Sequence, residues 1–388
     1  MERKDYQDPL KLQCLSLPEL CQVQIDGVRK GLSDTIPEDV IKGIRRVIIT
    51  GCGDSYLASI CAVPAFKKFV NAFGNRFSAE RCIDVARSLE FDPRYSDVTL
   101  VVAVSASGSP NRVAEALRRA KSKGCHTLAL TNVPDSQAAR EAEYKLIVNT
   151  PPVDYATPGL RNYYASLMGL YALAAYMGEA KGLSPKGSLD SLFEAVKKQT
   201  GDYAREMDRI DQQMYELALK WKDLKKFESI GDDVNWASAY FIGAKFVEVA
   251  GMMVPTMDSE DWCHVNYFAH DSNAIGTIVV AQKSAPDRSR VCETVHQARN
   301  VARPVLVTAD CPIDEFGIKD EGVEYCEVPA APEGFEFIGP MMNYVPGSLL
   351  ASYFAAMNGE TYFRDENSPQ KKSPVGSTIK TSVIEVVD

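Results

Sequence analysis

Two short segments of the sequence combine glycine with small hydroxyl residues. Gly51-Cys52-Gly53-Asp54-Ser55 follows the apolar run RRVIIT, and Ser105-Ala106-Ser107-Gly108-Ser109 follows VTLVVAV. At a strand-to-helix turn, such residues place backbone N–H groups and hydroxyls at the positive end of a helix, which suits a dianionic phosphate. The alternative is that they only cap helices and permit tight turns. Because both segments follow neighbouring predicted strands, we favour a phosphate site, with the candidate residues Gly53, Ser55, Ser105, Ser107 and Ser109.

The first segment differs from nucleotide-binding loops. GCGDSY has two of the three glycines of G-x-G-x-x-G, with Tyr56 at the third place, and no clear strand-end acid follows about 20 residues later. The sequence also lacks the G-x-x-x-x-G-K-[ST] pattern of ATP-binding loops. We therefore expect neither nicotinamide nor ATP, and no cofactor.

A second group of candidates could perform acid–base chemistry. Glu248 lies in the largely apolar stretch AYFIGAKFVEVAGMMV, where partial desolvation would favour a role as a general base. The alternative is a solvated helix position paired with Lys245, three residues earlier. His264 follows, and an imidazole can act as acid or base near neutral pH. Its alternative is a buried structural histidine beside Trp262, and we interpret the other three histidines as structural.

Short apolar strands that alternate with helical patterns place these candidates on an α/β framework. The strand-like runs of the first half end near residues 50, 107, 132 and 150. Continuous apolar strands of this kind indicate a parallel sheet with both faces covered by helices. The fold class predicted is α/β, with doubly wound parallel sheets in three α/β/α layers of flavodoxin-like order.

The second half repeats the same order of elements at an offset of about 180 residues, which indicates two copies of one domain. The predicted organisation is a helical lead-in (1–35), a first α/β domain (36–183), a helical linker (184–222), a second α/β domain (223–364) and a C-terminal tail (365–388). In the second copy the first turn reads Gly231-Asp232-Asp233, whose acids would repel a phosphate. We therefore expect one phosphate site per chain, in the first copy.

Composition limits the class of protein. The chain has 388 residues, a formal net charge of −9 and 45% hydrophobic residues. The acidic balance argues against nucleic acid or an anionic membrane as a partner, and no segment has the length of a signal peptide or a membrane span. Its ten cysteines include no C-x-x-C pair, so we expect neither a metal site nor a disulfide framework. We expect a cytoplasmic protein.

The motifs GCGDSY, VSASGS and ALTNVPDSQAAREAE together resemble the sugar isomerase (SIS) domain. Their order is similar to the tandem isomerase half of glucosamine-6-phosphate synthase and to the fructosamine-6-phosphate deglycases. The resemblance covers roughly residues 20–365 and implies a sugar phosphate held by Ser55, Ser105, Ser107 and Ser109. One departure is Pro110, which stands where the family usually has a threonine.

The resemblance also assigns roles outside the phosphate loops. It implies sugar contacts from Asp54 and from the stretch Thr157–Arg161, in which Arg161 replaces the family's lysine and keeps its charge but not its general-base capacity. It implies catalysis by the K-x-x-E pair Lys245 and Glu248, by His264 and by a tail lysine, Lys380. Around His264 the acid position is Asp261, and the family's following Gly-Pro is Val265-Asn266. In relatives the histidine loop reaches a neighbouring subunit, which implies a homodimer or higher homo-oligomer.

The sequence shows no glutaminase domain before the repeat and no N-terminal cysteine nucleophile. Two reactions fit the candidates: aldose–ketose (amino sugar) isomerisation, or fructosamine-6-phosphate deglycation, both at C1/C2 of a sugar 6-phosphate. Both need one carboxylate base and one acid near a carbonyl or amine. The alternative is a phosphosugar-binding sensor without catalysis.

Overall fold

The computed structural model describes residues 2–155, 158–361 and 364–387. These residues form two compact units. The first unit contains the described residues of Glu19–Pro152, Arg161–Ala195 and Pro374–Asp388. The second unit contains those of Met1–Pro18, Val153–Leu160 and Val196–Ser373.

The helices follow the predicted alternation with strands. In chain order they are α1 (Pro9–Leu15), α2 (Leu17–Ser33), α3 (Glu38–Gly43), α4 (Asp54–Phe69), α5 (Cys82–Arg87), α6 (Asn111–Ser122), α7 (Gln137–Glu141), α8 (Leu160–Ala180), α9 (Ser188–Trp221), α10 (Val234–Lys245), α11 (Ser259–His264), α12 (Arg288–Asn300), α13 (Ile313–Phe316), α14 (Val345–Met357) and α15 (Pro369–Lys372). A π-helical turn, Phe246–Ala250, continues α10. Short 3-10 turns lie at Arg3–Asp5, Pro93–Val98, Asn266–Phe268, Ser272–Ala274, Glu336–Met341 and Thr378–Lys380. Within the described ranges, every helix is too short or too polar to cross a lipid bilayer.

The first unit is built on a five-stranded parallel sheet. Its strands are β1 (Arg46–Gly51), β2 (Arg76–Arg81), β3 (Thr99–Val104), β4 (His126–Thr131) and β5 (Tyr144–Ile147), in the order β2-β1-β3-β4-β5. All six residues of β3 are buried, as expected for a central strand covered on both faces. One face of this sheet packs against the apolar sides of α5 and α6. The predicted flavodoxin-like order is therefore confirmed.

The second unit repeats this architecture. Its strands are β6 (Lys226–Ile230), β7 (Thr256–Met257), β8 (Ile275–Val280), β9 (Val305–Ala309) and β10 (Val323–Glu327), in the order β10-β9-β8-β6-β7. Read from the opposite edge, β7-β6-β8-β9-β10 matches the first sheet strand for strand. The predicted repeat of one doubly wound α/β fold is therefore confirmed.

The repeat extends to the backbone of the first turn in each sheet. Gly53 has φ 55° and ψ −129°, and its counterpart Asp233 has φ 47° and ψ −120°. Each turn begins with a glycine that lies very close to the residue four positions later. A Cβ on Gly51 would lie 2.6 Å from the Cβ of Ser55, and a Cβ on Gly231 would lie 2.3 Å from the carbonyl oxygen of Asn235. Both copies therefore use the same tight strand-to-helix turn, although their side chains differ.

Candidate functional site

The two serine-bearing turns of the first unit leave the sheet side by side. Gly51, the last residue of β1, is in register with Val104, the last residue of β3. The segments that begin at Cys52 and Ser105 therefore emerge from neighbouring parallel strands at the carboxyl edge of the sheet. In open α/β sheets this edge is where ligands bind. The expected juxtaposition of the two turns is present.

The second turn is organised by its own serines. The buried Ser105 Oγ accepts a hydrogen bond of 3.1 Å from the backbone N–H of Gly108, so this hydroxyl holds the loop closed. Ser107 is exposed, and its Oγ lies 2.9 Å from Ser109 Oγ. The hydroxyls of Ser107 and Ser109 are therefore the ones presented together at the loop surface, whereas Ser105 has a supporting position.

Gly108 fixes this loop against the sheet. Its φ of 59° lies in the left-handed region, and a Cβ there would lie 2.0 Å from Ser136 Oγ. The carbonyl of Gly108 accepts a hydrogen bond of 2.9 Å from the N–H of Ala138, the second residue of α7. Only glycine meets both the conformational and the steric demand at this position. The contact with Ser136 is long-range, so the sequence alone could not reveal it.

A cation near these turns was missed by the sequence analysis. Arg112 is the second residue of α6, and its positive charge acts on the first turn. The pKa of the Cys52 thiol is lowered first by the hydrogen bond with Cys82 and then by the charge of Arg112. Arg112 also forms an ion pair with Glu115 one helical turn later. In the sequence, Arg112 could have been identified as a candidate by its position directly after GSPN, at the start of the helix that follows the second turn.

The C-terminal tail docks beside the same helix. Asn111 Nδ2 donates a hydrogen bond of 2.7 Å to the carbonyl of Ser382, and Arg87 pairs with Glu385 at 2.8 Å. The 3-10 turn that ends at Lys380 packs against α6. The exposed Lys380 is therefore held in the first unit, near the helix that follows the serine turns.

The remaining first-unit candidates occupy helix starts. Asp54 and Ser55 are the first two residues of α4, and both are half-buried. Arg161 is the second residue of α8 and is also half-buried. Thr157, which begins the stretch matched to the family's sugar-binding segment, lies outside the described residues.

In the second unit, Lys245 and Glu248 form an ion pair of 2.7 Å. Lys245 ends α10 and is fully buried, with its Nζ 4.5 Å from the centroid of the Phe241 ring. Glu248 lies in the π-helical turn, and 28% of its side chain is exposed. The guanidinium of Arg364 donates to backbone carbonyls of this turn, those of Val247 and Glu248, so it caps this helix end. Glu248 is thus a fixed carboxylate with access to solvent.

His264 ends the short helix α11 instead of lying in a loop. Its side chain is exposed, so the alternative of a buried structural histidine is wrong; the buried member of this segment is Trp262. His264 Nε2 lies 2.9 Å from Glu260 Oε1, and Glu260 Oε2 lies 2.7 Å from Arg290 Nε. The hydrogen bond with His264 and the charge of Arg290 lower the pKa of Glu260. The acid in contact with His264 is therefore Glu260, not Asp261.

The carboxyl edge of the second sheet has a different charge from the first. Burial raises the pKa of Asp287, and the charges of Asp232 and Asp233 raise it further. A cavity of about 560 Å³ at the following turn has both Lys283 and Asp310 in its lining, and Lys283 forms an ion pair with Glu315. This clustering of acids is unfavourable for a phosphate dianion. Among the described residues, no group of three His, Cys, Asp or Glu side chains is arranged to hold a metal ion.

Comparison with known proteins gives one family and several relatives. Residues 41–176 match the family model of the SIS domain. Glutamine–fructose-6-phosphate aminotransferase [isomerizing] of Clostridium tetani is 24% identical over 325 residues, which are 84% of this chain and 51% of that protein. The chain thus spans about half the length of the curated relatives it matches.

Solved structures show the same fold. The C-terminal domain of glucosamine-fructose-6-phosphate aminotransferase from Francisella tularensis superposes with a TM-score of 0.80 at 16% identity, covering 92% of this chain and 99% of that one. Tagatose-6-phosphate ketose/aldose isomerase from Escherichia coli superposes with a TM-score of 0.69 at 13% identity, covering 92% and 97%. Residues 41–176 therefore form a SIS domain, and the second unit repeats the fold of its sheet.

Proposed function

We propose that this protein binds a sugar 6-phosphate and acts at its C1/C2 positions, as an aldose–ketose (amino sugar) isomerase or as a fructosamine-6-phosphate deglycase. The observation that carries the proposal is the register of Gly51 with Val104, which sets two serine-bearing turns side by side within the matched SIS domain. Backbone N–H groups, the hydroxyls of Ser107 and Ser109 and the nearby Arg112 supply what a phosphate dianion needs.

The proposed chemistry uses the ion-paired carboxylate of the second unit. Glu248 takes a proton from the carbon next to the carbonyl or imine, and returns it to the neighbouring carbon in an isomerase. His264 is proposed to assist ring opening or to protonate a leaving amine, and Lys245 to contact a substrate oxygen. Lys380 is a further candidate base, and Asp54 and Arg161 are candidates for sugar contacts.

The described activities of the relatives support the proposed function, and the share of their length that this chain spans limits how far the proposal extends. The curated relatives are described as isomerizing aminotransferases, and one structural neighbour as a ketose/aldose isomerase. Because the chain spans only about half of the aminotransferases, the proposal covers sugar binding and C1/C2 chemistry alone.

A panel of 6-phosphorylated hexoses, hexosamines and fructosamines tests the proposal. Each sugar is incubated with the full chain, and mass spectrometry together with proton NMR follows binding, interconversion and release of amine. Isomer interconversion identifies an isomerase, and loss of the amine identifies a deglycase.

The second candidate function, a phosphosugar sensor without catalysis, is favoured by the altered sequence after His264, where Val265-Asn266 replaces Gly-Pro. Binding without any turnover would select the sensor, and binding of no phosphosugar would refute both functions.

Replacement of Ser107 or Ser105 by alanine should weaken phosphosugar binding. Each loses a hydroxyl of the loop, and a charge-assisted hydrogen bond contributes about 1–3 kcal/mol, or roughly 5–150-fold in Kd. For Ser105→Ala the loss acts through the loop, because Ser105 Oγ accepts the N–H of Gly108. Calorimetry with the best-binding sugar measures the effect, with Ser191→Ala on the exposed face of α9 as the matched control. Unchanged affinity in both loop variants would exclude this site.

The protein should form at least a homodimer through the segment that bears His264. Two hydrophobic side chains close to His264 in sequence, Val265 and Phe268, are exposed, and Phe268 is 73% accessible. Light scattering should give at least twice the chain mass, and Phe268→Asp should shift the protein toward monomer. Phe73→Asp, at a fully exposed phenylalanine of the first unit, is the control and should leave the mass unchanged. A stable monomer with full activity would contradict the prediction.

A further inference from the structure

Two cysteines occupy equivalent places at the ends of neighbouring strands. Gly51 of β1 is in register with Arg81 of β2. Cys52 directly follows Gly51, and Cys82 directly follows Arg81. Adjacent strands lie about 4.8 Å apart, and a disulfide requires Cα atoms about 4.4–6.8 Å apart. The register therefore places the two cysteines directly beyond paired residues of neighbouring strands, and the spacing of such strands lies within the range that a disulfide requires.

The two side chains differ in access to solvent and in the pKa of their thiols. All ten cysteines lie within the described residues and are in the thiol form; Cys52 alone is exposed, and Cys82 is 2% accessible. The hydrogen bond from Cys82, together with the charge of Arg112, lowers the pKa of the Cys52 thiol. The same hydrogen bond, with burial, raises the pKa of Cys82. An accessible thiol with a lowered pKa next to a second thiol is the arrangement of an attacking and a resolving cysteine.

We propose that Cys52 and Cys82 are a redox-modification site that forms a reversible intrachain disulfide with a small-molecule disulfide oxidant such as glutathione disulfide. The Cys52 thiolate attacks one sulfur of the oxidant, which forms a mixed disulfide and releases one glutathione thiolate. The Cys82 sulfur then attacks the Cys52 sulfur and expels the second glutathione. The two thiol protons pass to the two glutathione thiolates, so two protein thiols are oxidised and one glutathione disulfide is reduced.

The consequence for ligand binding rests on the proposed function. Cys52 lies between Gly51 and Gly53 in the turn that presents Ser55, and Gly51 packs directly against Ser55. A covalent bond from Cys52 to the end of β2 constrains this turn, and with it one half of the proposed phosphate site. Oxidation should therefore reduce affinity for a 6-phosphorylated sugar.

The test treats the full chain with glutathione disulfide, blocks remaining thiols with iodoacetamide and maps peptides by mass spectrometry. The wild type should lose two thiols, lose the mass of two hydrogen atoms and yield a Cys52–Cys82 cross-linked peptide that dithiothreitol removes. Cys82→Ser should stop at a glutathione adduct on Cys52, and Cys52→Ser should gain neither adduct nor cross-link. Cys292→Ser, at a half-buried thiol of the second unit, should cross-link as the wild type does.

A stable glutathione adduct on Cys52 in the wild type, a cross-link between other cysteines, or no reaction would each overturn the proposal. The thiol readout does not depend on sugar binding, so a cross-link in a protein that binds no phosphosugar would refute the proposed function and leave the redox site standing. Unchanged affinity in the cross-linked protein would overturn the effect on binding.

Discussion

Replacement of Glu248 by glutamine should lower turnover by about 10²–10⁴ and leave phosphosugar binding nearly intact, because it removes the proposed proton acceptor while keeping the shape of the side chain. Glu248 is held in place by Lys245 at 2.7 Å and by the capping of its π-helical turn by Arg364. The phosphate loops are in the other unit, so their contacts should not depend on this carboxylate.

Exchange of solvent deuterium into the substrate carbon, followed by NMR, measures this step directly. Glu324→Gln is a matched control, since Glu324 is 29% exposed and ion-paired with Lys220, as Glu248 is 28% exposed and paired with Lys245. Lys245 is fully buried, so circular dichroism and calorimetry on the variant are needed to show that fold and binding survive. Undiminished exchange in Glu248→Gln would assign the base elsewhere, with Lys380 the next candidate.

The fold could be predicted from sequence wherever strands are buried on both faces. Strands such as β3 and β8 are continuous apolar runs, and their repetition in the same order fixes two copies of one fold. The sequence analysis missed β2 and β7, the edge strands adjoining β1 and β6. The sequence of β2, RFSAER, is half-exposed and polar, and β7 has only two residues. An edge strand that is this polar or this short lacks the apolar run that reveals a buried strand, so only its pairing shows it.

The candidate site could be predicted only where local sequence carries the chemistry. Glycines and serines at strand ends indicated both turns, and their adjacency followed from the parallel sheet. The groups that support the turns are visible only in the folded chain: Ser136 against Gly108, Arg112 beside Cys52, and the tail on Asn111. For His264 only the alternative of burial beside Trp262 was wrong: Trp262 is buried, and His264, two residues later, lies on the opposite side of a short helix.

The reason Trp262 is buried lies in a glutamate of β6. Glu228, in the strand KFESI, is 2% exposed. Its Oε1 accepts hydrogen bonds from Trp262 Nε1 at 2.9 Å and from Thr277 Oγ1 at 2.7 Å. Its Oε2 accepts one of 2.7 Å from Asn266 Nδ2. Trp262 and Asn266 flank His264 on both sides in sequence, so this one carboxylate anchors the whole segment.

The fully buried Arg303 supplies the opposite charge. Its Nε lies 3.4 Å from Glu228 Oε1, and its Nη2 donates a hydrogen bond of 2.7 Å to the carbonyl of Asn266. Its guanidinium carbon also lies 5.8 Å from the Trp262 ring centroid. Removal of one partner of a buried ion pair leaves the other charge uncompensated in a medium of low polarity, which costs more than the pair itself contributes.

Glu228→Gln should therefore destabilise the protein by about 3–5 kcal/mol, a loss that guanidinium-induced unfolding followed by tryptophan fluorescence can measure. The double variant Glu228→Gln with Arg303→Met removes both charges but keeps an acceptor oxygen for Trp262 and Thr277, so it should recover part of this loss. Glu324→Gln, at the half-exposed edge strand β10, should change the free energy of unfolding by less than about 1 kcal/mol. A loss below about 1 kcal/mol in Glu228→Gln, or no recovery in the double variant, would contradict the assignment. If the prediction holds, the position of His264 is set by an internal charge pair of the second unit, so the proposed acid–base group and the stability of its domain depend on the same buried carboxylate.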